Sequence, residues 1–77
     1  MVRPNPATTQ IQIVSDEERL EQDVYYQLFD LTGRLIYQDR LMEEVHSLEI
    51  SDITPGVYIL KISDNRQTLK TFKIVKQ

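Results

Sequence analysis

Val24-Tyr25-Tyr26-Gln27-Leu28-Phe29-Asp30-Leu31-Thr32-Gly33-Arg34-Leu35-Ile36-Tyr37-Gln38 is the stretch whose reading decides the fold. Val24, Tyr26 and Leu28 alternate with Tyr25, Gln27 and Phe29. A two-residue period of this kind marks a strand with one buried face, here residues 24–30. Residues 35–38 are short and apolar and suit a second strand. Leu31-Thr32-Gly33 suits a type I turn closed by a glycine in the left-handed conformation, which makes a three-residue hairpin loop. The stretch therefore reads as an antiparallel hairpin.

The same period recurs on both sides. Residues 10–14 alternate Ile11 and Ile13 with polar neighbours. Residues 45–50 set His46, Leu48 and Ile50 against Ser47 and Glu49. Residues 57–63 set Tyr58, Leu60 and Ile62 against Val57, Ile59 and Lys61. Residues 68–76 set Lys70, Phe72 and Ile74 against Leu69, Lys73 and Val75. Thr54-Pro55-Gly56 suits a type II turn, and Asp64-Asn65-Arg66 a tight connection between the last two strands. The register of that last hairpin stays open. An odd loop or a bulge sets Phe72 with Tyr58 and Leu60, whereas a loop of two or four residues sets it with Val57 and Ile59. Six or seven short strands at this spacing point to an all-β antiparallel sandwich or barrel. Residues 15–22 are acidic and carry one apolar residue, Leu20, so they read as a solvated loop or a single turn.

The chain has 77 residues, enough for one small domain. Its 40% hydrophobic and 27% charged residues are ordinary globular usage, which sets aside collagen-like and disordered classes. No apolar run approaches the roughly 20 residues of a membrane-spanning helix. With no cysteine there is no disulfide framework and no thiolate metal site. A net charge of −3 argues against nucleic acid as a partner. That total hides an asymmetry. From Lys61 onward five basic residues (Lys61, Arg66, Lys70, Lys73, Lys76) face one acid, Asp64, so this part carries +4 and the rest −7.

Enzyme chemistry fails on inventory. There is no cysteine nucleophile, no glycine-rich phosphate loop and no nucleophile elbow. Glu43 and Glu44 are adjacent, and neighbours on a strand point to opposite faces. His46 has no second histidine or cysteine to complete a zinc site, and reads as a partly buried strand residue. The acids around residues 16–23 lack the spacing and the central glycine of a calcium loop. No cofactor is expected.

Four segments in order carry a resemblance. They are Pro4-Asn5-Pro6-Ala7, the hairpin Leu28-Phe29-Asp30-Leu31-Thr32-Gly33-Arg34-Leu35-Ile36-Tyr37, the Gly-x-Tyr of Ile53-Thr54-Pro55-Gly56-Val57-Tyr58, and the ending Lys73-Ile74-Val75-Lys76-Gln77. Together they resemble the type A C-terminal sorting domain of proteins exported by the type IX secretion system of Bacteroidota. The likeness runs from Pro4 to Gln77. It implies an immunoglobulin-like antiparallel β-sandwich of about seven short strands. It also implies a signal that does no chemistry. The cargo fused ahead of it crosses the inner membrane on an ordinary signal peptide, and the outer-membrane translocon and shuttle proteins then read the domain. A cell-surface sortase cuts upstream, and the cargo is displayed or secreted. On this reading residues 1–9 are a linker end and residues 10–77 the sorting domain, the tail of a longer precursor.

Within that frame Lys73, Ile74, Val75, Lys76 and Gln77 are expected to be read by the translocon. An outer strand can be captured by strand addition, or its carboxylate by a backbone nest. Lysines on an edge strand also block aggregation, and the two roles are compatible. Pro4, Asn5, Pro6, Gly33, Gly56 and Tyr58 are expected to be structural: a stiff junction, two turns, and a large ring with its hydroxyl at the sandwich rim. The competing reading is a small adhesin or carbohydrate-binding module that uses Tyr25 and Tyr37 as sugar platforms. A plain spacer domain is the third.

Overall fold

The computed structural model of the chain describes residues 2–3, 9–14, 23–43 and 45–77. Seven strands follow in chain order: β1 (Val2–Arg3), β2 (Gln10–Val14), β3 (Tyr25–Asp30), β4 (Leu35–Arg40), β5 (Val45–Glu49), β6 (Gly56–Ser63) and β7 (Thr68–Lys76). All pair antiparallel with their neighbours, in one sheet ordered β1-β2-β5 and another ordered β4-β3-β6-β7. The chain changes sheet between β2 and β3, returns between β4 and β5, and crosses again to β6. Two sheets joined by such crossings make an immunoglobulin-like sandwich, which decides between the sandwich and the barrel.

The core is what the alternation foretold. Ile11, Ile13 and Leu48 from the first sheet meet Tyr26, Leu28, Leu60, Ile62 and Ile74 from the second. The strand spans differ a little from the sequence reading. Val24 and Ile50 are buried but lie just outside the ladders. Each is anchored at a sheet change: Leu41 N donates to Val24 O at 2.8 Å, and Ile50 N donates to Thr9 O at 2.8 Å. β4 runs two residues further than expected, to Arg40. β1 was not expected at all. Its two residues pair with Ile13 and Gln12, and no period can be read from two residues.

The hairpin between β3 and β4 is the one expected. Gly33 N donates to Asp30 O at 3.1 Å and Asp30 N to Arg34 O at 3.0 Å, with Gly33 at φ +88°. That φ lies in the left-handed region, where a side chain is strained, so glycine is needed here. The type II turn expected at Thr54-Pro55-Gly56 does not form. Gly56 opens β6 at φ +157°, close to full extension and far from the roughly +80° of a type II turn. The hydrogen-bonded turn lies upstream, where Ile53 N donates to Ile50 O at 3.2 Å.

The last hairpin resolves through a bulge. Ser63 pairs with Thr68, but Ile62 pairs with Lys70, so Leu69 is extra. The four-residue loop alone would set Phe72 with Ile59. The extra residue moves it opposite Leu60, on the core face.

Candidate recognition strand and its supports

β7 is an outer strand: among the described residues its only neighbour is β6. The bulge decides what each of its side chains does. Ile74 lies opposite Tyr58 and is 1% exposed, and Val75 lies opposite Val57 and is half-buried. Lys73 lies opposite Ile59 and is exposed, as is Gln77. Lys76 departs from its expected place on the surface. It is 9% exposed, opposite Gly56, and its Nζ donates to the main-chain oxygen of Gln77 at 3.3 Å. A lysine stem can cover apolar surface while its amine reaches the rim. The two lysines therefore face opposite sides of the sheet.

Three side-chain arrangements hold the strands around β7. At the corner before β6, Tyr58 is buried and its hydroxyl donates to the carbonyl oxygen of Thr54, four residues upstream. This is the tyrosine corner of immunoglobulin-like sandwiches. At the same corner the Tyr37 hydroxyl meets the Asp52 carboxylate at 2.6 and 2.7 Å, which together with partial burial raises the tyrosine's pKa. In the β6–β7 loop, Asp64 Oδ1 accepts from Arg66 N at 2.8 Å and Gln67 N at 2.9 Å.

The β3–β4 hairpin has a support of its own. Asp30 Oδ1 accepts from the Thr32 hydroxyl at 2.6 Å, Thr32 N at 2.9 Å and Arg34 N at 3.0 Å. These bonds hold the Asp30 carboxyl below the usual aspartate range, the Thr32 hydroxyl contributing most. The sequence reading missed the roles of Asp30 and Asp52, whereas Asp64 stands in the tight connection expected of it. For Asp30 and Asp64 a signal existed, because an Asp two residues ahead of a turn donor is the mark of an Asx turn. For Asp52 none did, since its partner lies 15 positions away. Pro4, Asn5 and Pro6 lie outside the described residues, as does the acidic segment 15–22.

The model of the secretion system C-terminal sorting domain matches residues 1–77, the whole chain. The chain belongs to that family. It is a signal for type IX secretion, and it acts with that system in export to the cell surface or the medium. The family is not one of enzymes. No curated protein matches the chain.

In this sorting domain the two tyrosines named as sugar platforms do not share a surface. Tyr37 pairs with Leu28 and packs against the core, whereas Tyr25 pairs with Arg40 and Ser63 on the opposite face. Tyr25 borders an open groove with Gln27, Gln38, Arg40 and Ser63, and Arg40 is held in an ion pair with Asp23. His46 of the sorting domain is half-buried, its ring 5.1 Å from that of Tyr26. Among its described residues no group of three histidines, cysteines or carboxylates could hold a metal ion.

Proposed function

We propose that residues 73–77 are the part of this sorting domain that the type IX machinery reads, through strand addition to β7. Lys73, Ile74, Val75, Lys76 and Gln77 then have divided roles. Lys73 meets acidic groups of the receptor. Ile74 and Lys76 lock the strand to the core. Val75 and Gln77 complete the contact. The observation that supports this reading is the position of β7: it is well fastened on its β6 side and has no other neighbour among the described strands. An extended segment already fixed in strand geometry loses little entropy when a partner strand joins it.

In the same proposal the outer-membrane translocon and shuttle proteins make the contact, with the cargo fused ahead of residue 10. A surface sortase cuts upstream of the sandwich, and the released domain is discarded. Gly33 and Tyr58 serve the fold that presents β7, and Pro4, Asn5, Pro6 and Gly56 serve its junctions.

Cross-linking in living cells tests the contact. A photoactivatable residue in place of Lys73 should trap a component of the type IX machinery. The same residue in place of Met42, which is 74% exposed on the β4–β5 connection, should not. Equal trapping at both positions, or none at 73, contradicts the reading.

A further inference from the structure

The groove beside Tyr25 takes no part in the contacts of β7. Three strands build it. Register sets Arg40, Tyr25 and Ser63 in one row across β4, β3 and β6, and Gln38, Gln27 and Lys61 in the next. Tyr25, Gln27 and Ser63 are half-buried, and Gln38 and Arg40 are exposed. The open space above them is about 510 Å³. The chain itself holds the walls. Arg40 is paired with one carboxylate oxygen of Asp23, and Asn65 Nδ2 donates to the other at 3.4 Å, which ties the approach to β3 to the β6–β7 loop. Asp39 and Asp64 also line the groove. Asp39 Oδ1 accepts from Arg40 N at 2.8 Å, and Asp64 Oδ1 accepts the two amides of its own loop. The Lys61 amine is turned to the Phe29 ring, 5.3 Å from its centre. Among the described residues each charge around the groove is thus engaged within the chain, and the groups between them are neutral: a phenol ring, two amides and a hydroxyl. Gln27 Nε2 donates to Gln38 Oε1 at 3.4 Å. That bond uses one N–H and one carbonyl lone pair, so the amide pair keeps further donors and acceptors to offer a ligand.

We propose that this groove is a binding site for a neutral carbohydrate, a short stretch of oligosaccharide with one sugar ring resting on Tyr25. A pyranose presents C–H bonds on one face and hydroxyls at its edge. The C–H face suits the negative face of the phenol ring. The hydroxyls each donate and accept, which matches side-chain amides and a serine hydroxyl. Other ligands suit the groove less. An anion meets Asp39 and Asp64, and a cation meets Arg40. An apolar ligand needs apolar walls, and among the described residues that line the groove Tyr25 alone is aromatic. The same shortage disfavours an amphipathic helix or a proline-rich peptide, whose grooves are apolar or lined by aromatic rings. Strand addition takes place at a sheet edge and not on a face. The site shares no residue with 73–77, so it goes beyond the export signal and gives the domain a point of attachment to glycan.

Nuclear magnetic resonance titration of the isotope-labelled chain tests the site. The probes are cellohexaose, maltohexaose and mannohexaose, neutral hexasaccharides that differ in linkage and stereochemistry, each taken to concentrations that reveal a millimolar Kd. At least one should shift the backbone amides of Tyr25, Gln27 and Gln38 while those of Lys73 to Gln77 stay in place. Tyr25→Phe keeps the ring and should bind within about twofold of the parent. Tyr25→Ala should weaken binding about tenfold and Gln38→Ala about fivefold, and the amide spectrum of each variant reports whether its fold is intact. No shift at these residues with any of the neutral sugars overturns the proposal. Parent-level binding by folded Tyr25→Ala, or by Gln38→Ala where Tyr25→Ala does not fold, does the same. Shifts there with a sulfated hexasaccharide or with a neutral Gly-Ser-Gln peptide, and none with the neutral sugars, would assign the groove to an anion or to a peptide and overturn it as well. The reading of residues 73–77 stands or falls separately, by the export of a fusion that lacks them.

Discussion

Phe72 on β7 lies directly opposite Leu60 on β6, although the loop between the strands would by itself place Phe72 opposite Ile59. Leu69 absorbs the mismatch as a bulge. The hydrophobic pattern has overruled the loop, because the alternative turns Ile74 out to solvent.

That argument makes deletion of Leu69 a defined experiment. With the bulge residue gone, Thr68 and Lys70 become neighbours and the ladder becomes regular in the same register. Leu60 should remain opposite Phe72, and cross-strand nuclear Overhauser effects between their backbones should persist. The loss of Leu69 packing should cost about 1–2 kcal/mol in urea unfolding. Contacts between Ile59 and Phe72 in the deletion variant would contradict the bulge assignment, since without Leu69 both the loop and burial set Phe72 opposite Leu60.

The corner residue Tyr58 should be sensitive to loss of one oxygen. Tyr58→Phe keeps the buried ring but leaves the Thr54 carbonyl without its hydroxyl donor. We expect a cost of about 1–2 kcal/mol, or roughly 4–15 °C in Tm for a domain of this size, with the family of strands intact by circular dichroism. A change below about 0.3 kcal/mol would mean that the corner hydrogen bond is dispensable.

Acid sensitivity follows from Asp30. Its carboxyl is held below the ordinary value of 3.8, so the folded state binds that proton more weakly than the unfolded state does. The stabilisation is fully present above the unfolded value and drains away as pH falls through the lower folded one. Asp30→Asn removes this dependence. The stability gap between the parent and Asp30→Asn should be widest near neutral pH and close as pH drops below about 4. Urea midpoints at a series of pH values measure it. A gap that stays constant to strong acid would contradict the assignment.

The two lysines of β7 should separate. Lys76 is nearly enclosed, so Lys76→Glu should destabilise the domain by about 1–3 kcal/mol through a buried charge and a lost stem. Lys73 is exposed, and Lys73→Glu should change stability by no more than about 0.5 kcal/mol. If Lys73 steers recognition, export should fall more for Lys73→Glu than for Lys73→Ala while the fold stays intact. Equal export of both would leave Lys73 with the edge-protecting role alone. Lys76 is therefore a poor probe of recognition, although it stands in the same short motif.

These cases show where the sequence was informative. Strands with one core face, such as β3 and β6, are legible because Tyr26-x-Leu28 and Tyr58-x-Leu60-x-Ile62 leave only one way to bury them. The β3–β4 hairpin is legible because Gly33 needs a conformation that other residues resist. The register of β7 is not legible, because a bulge has no signature in Thr68-Leu69-Lys70. The burial of Lys76 is not legible either, since lysine reads as surface and its enclosure is set by tertiary packing. The pairing of Tyr37 with Asp52 is a tertiary contact between a strand and a distant corner. The family motif around Gly56 and Tyr58 was visible, but its physics was assigned to the wrong turn. Proline and glycine suggested a type II turn, while the chain turns earlier and the tyrosine hydroxyl fastens the corner.

The most direct test of the central claim is surface display of a periplasmic reporter fused to this chain, with and without residues 73–77. Protease accessibility on intact cells reads the outcome, and circular dichroism of the truncated chain reports whether the sandwich forms without the buried Ile74. The account predicts that the full chain carries the reporter to the surface and that the truncated one leaves it in the periplasm. Undiminished display of the folded, truncated fusion would contradict it.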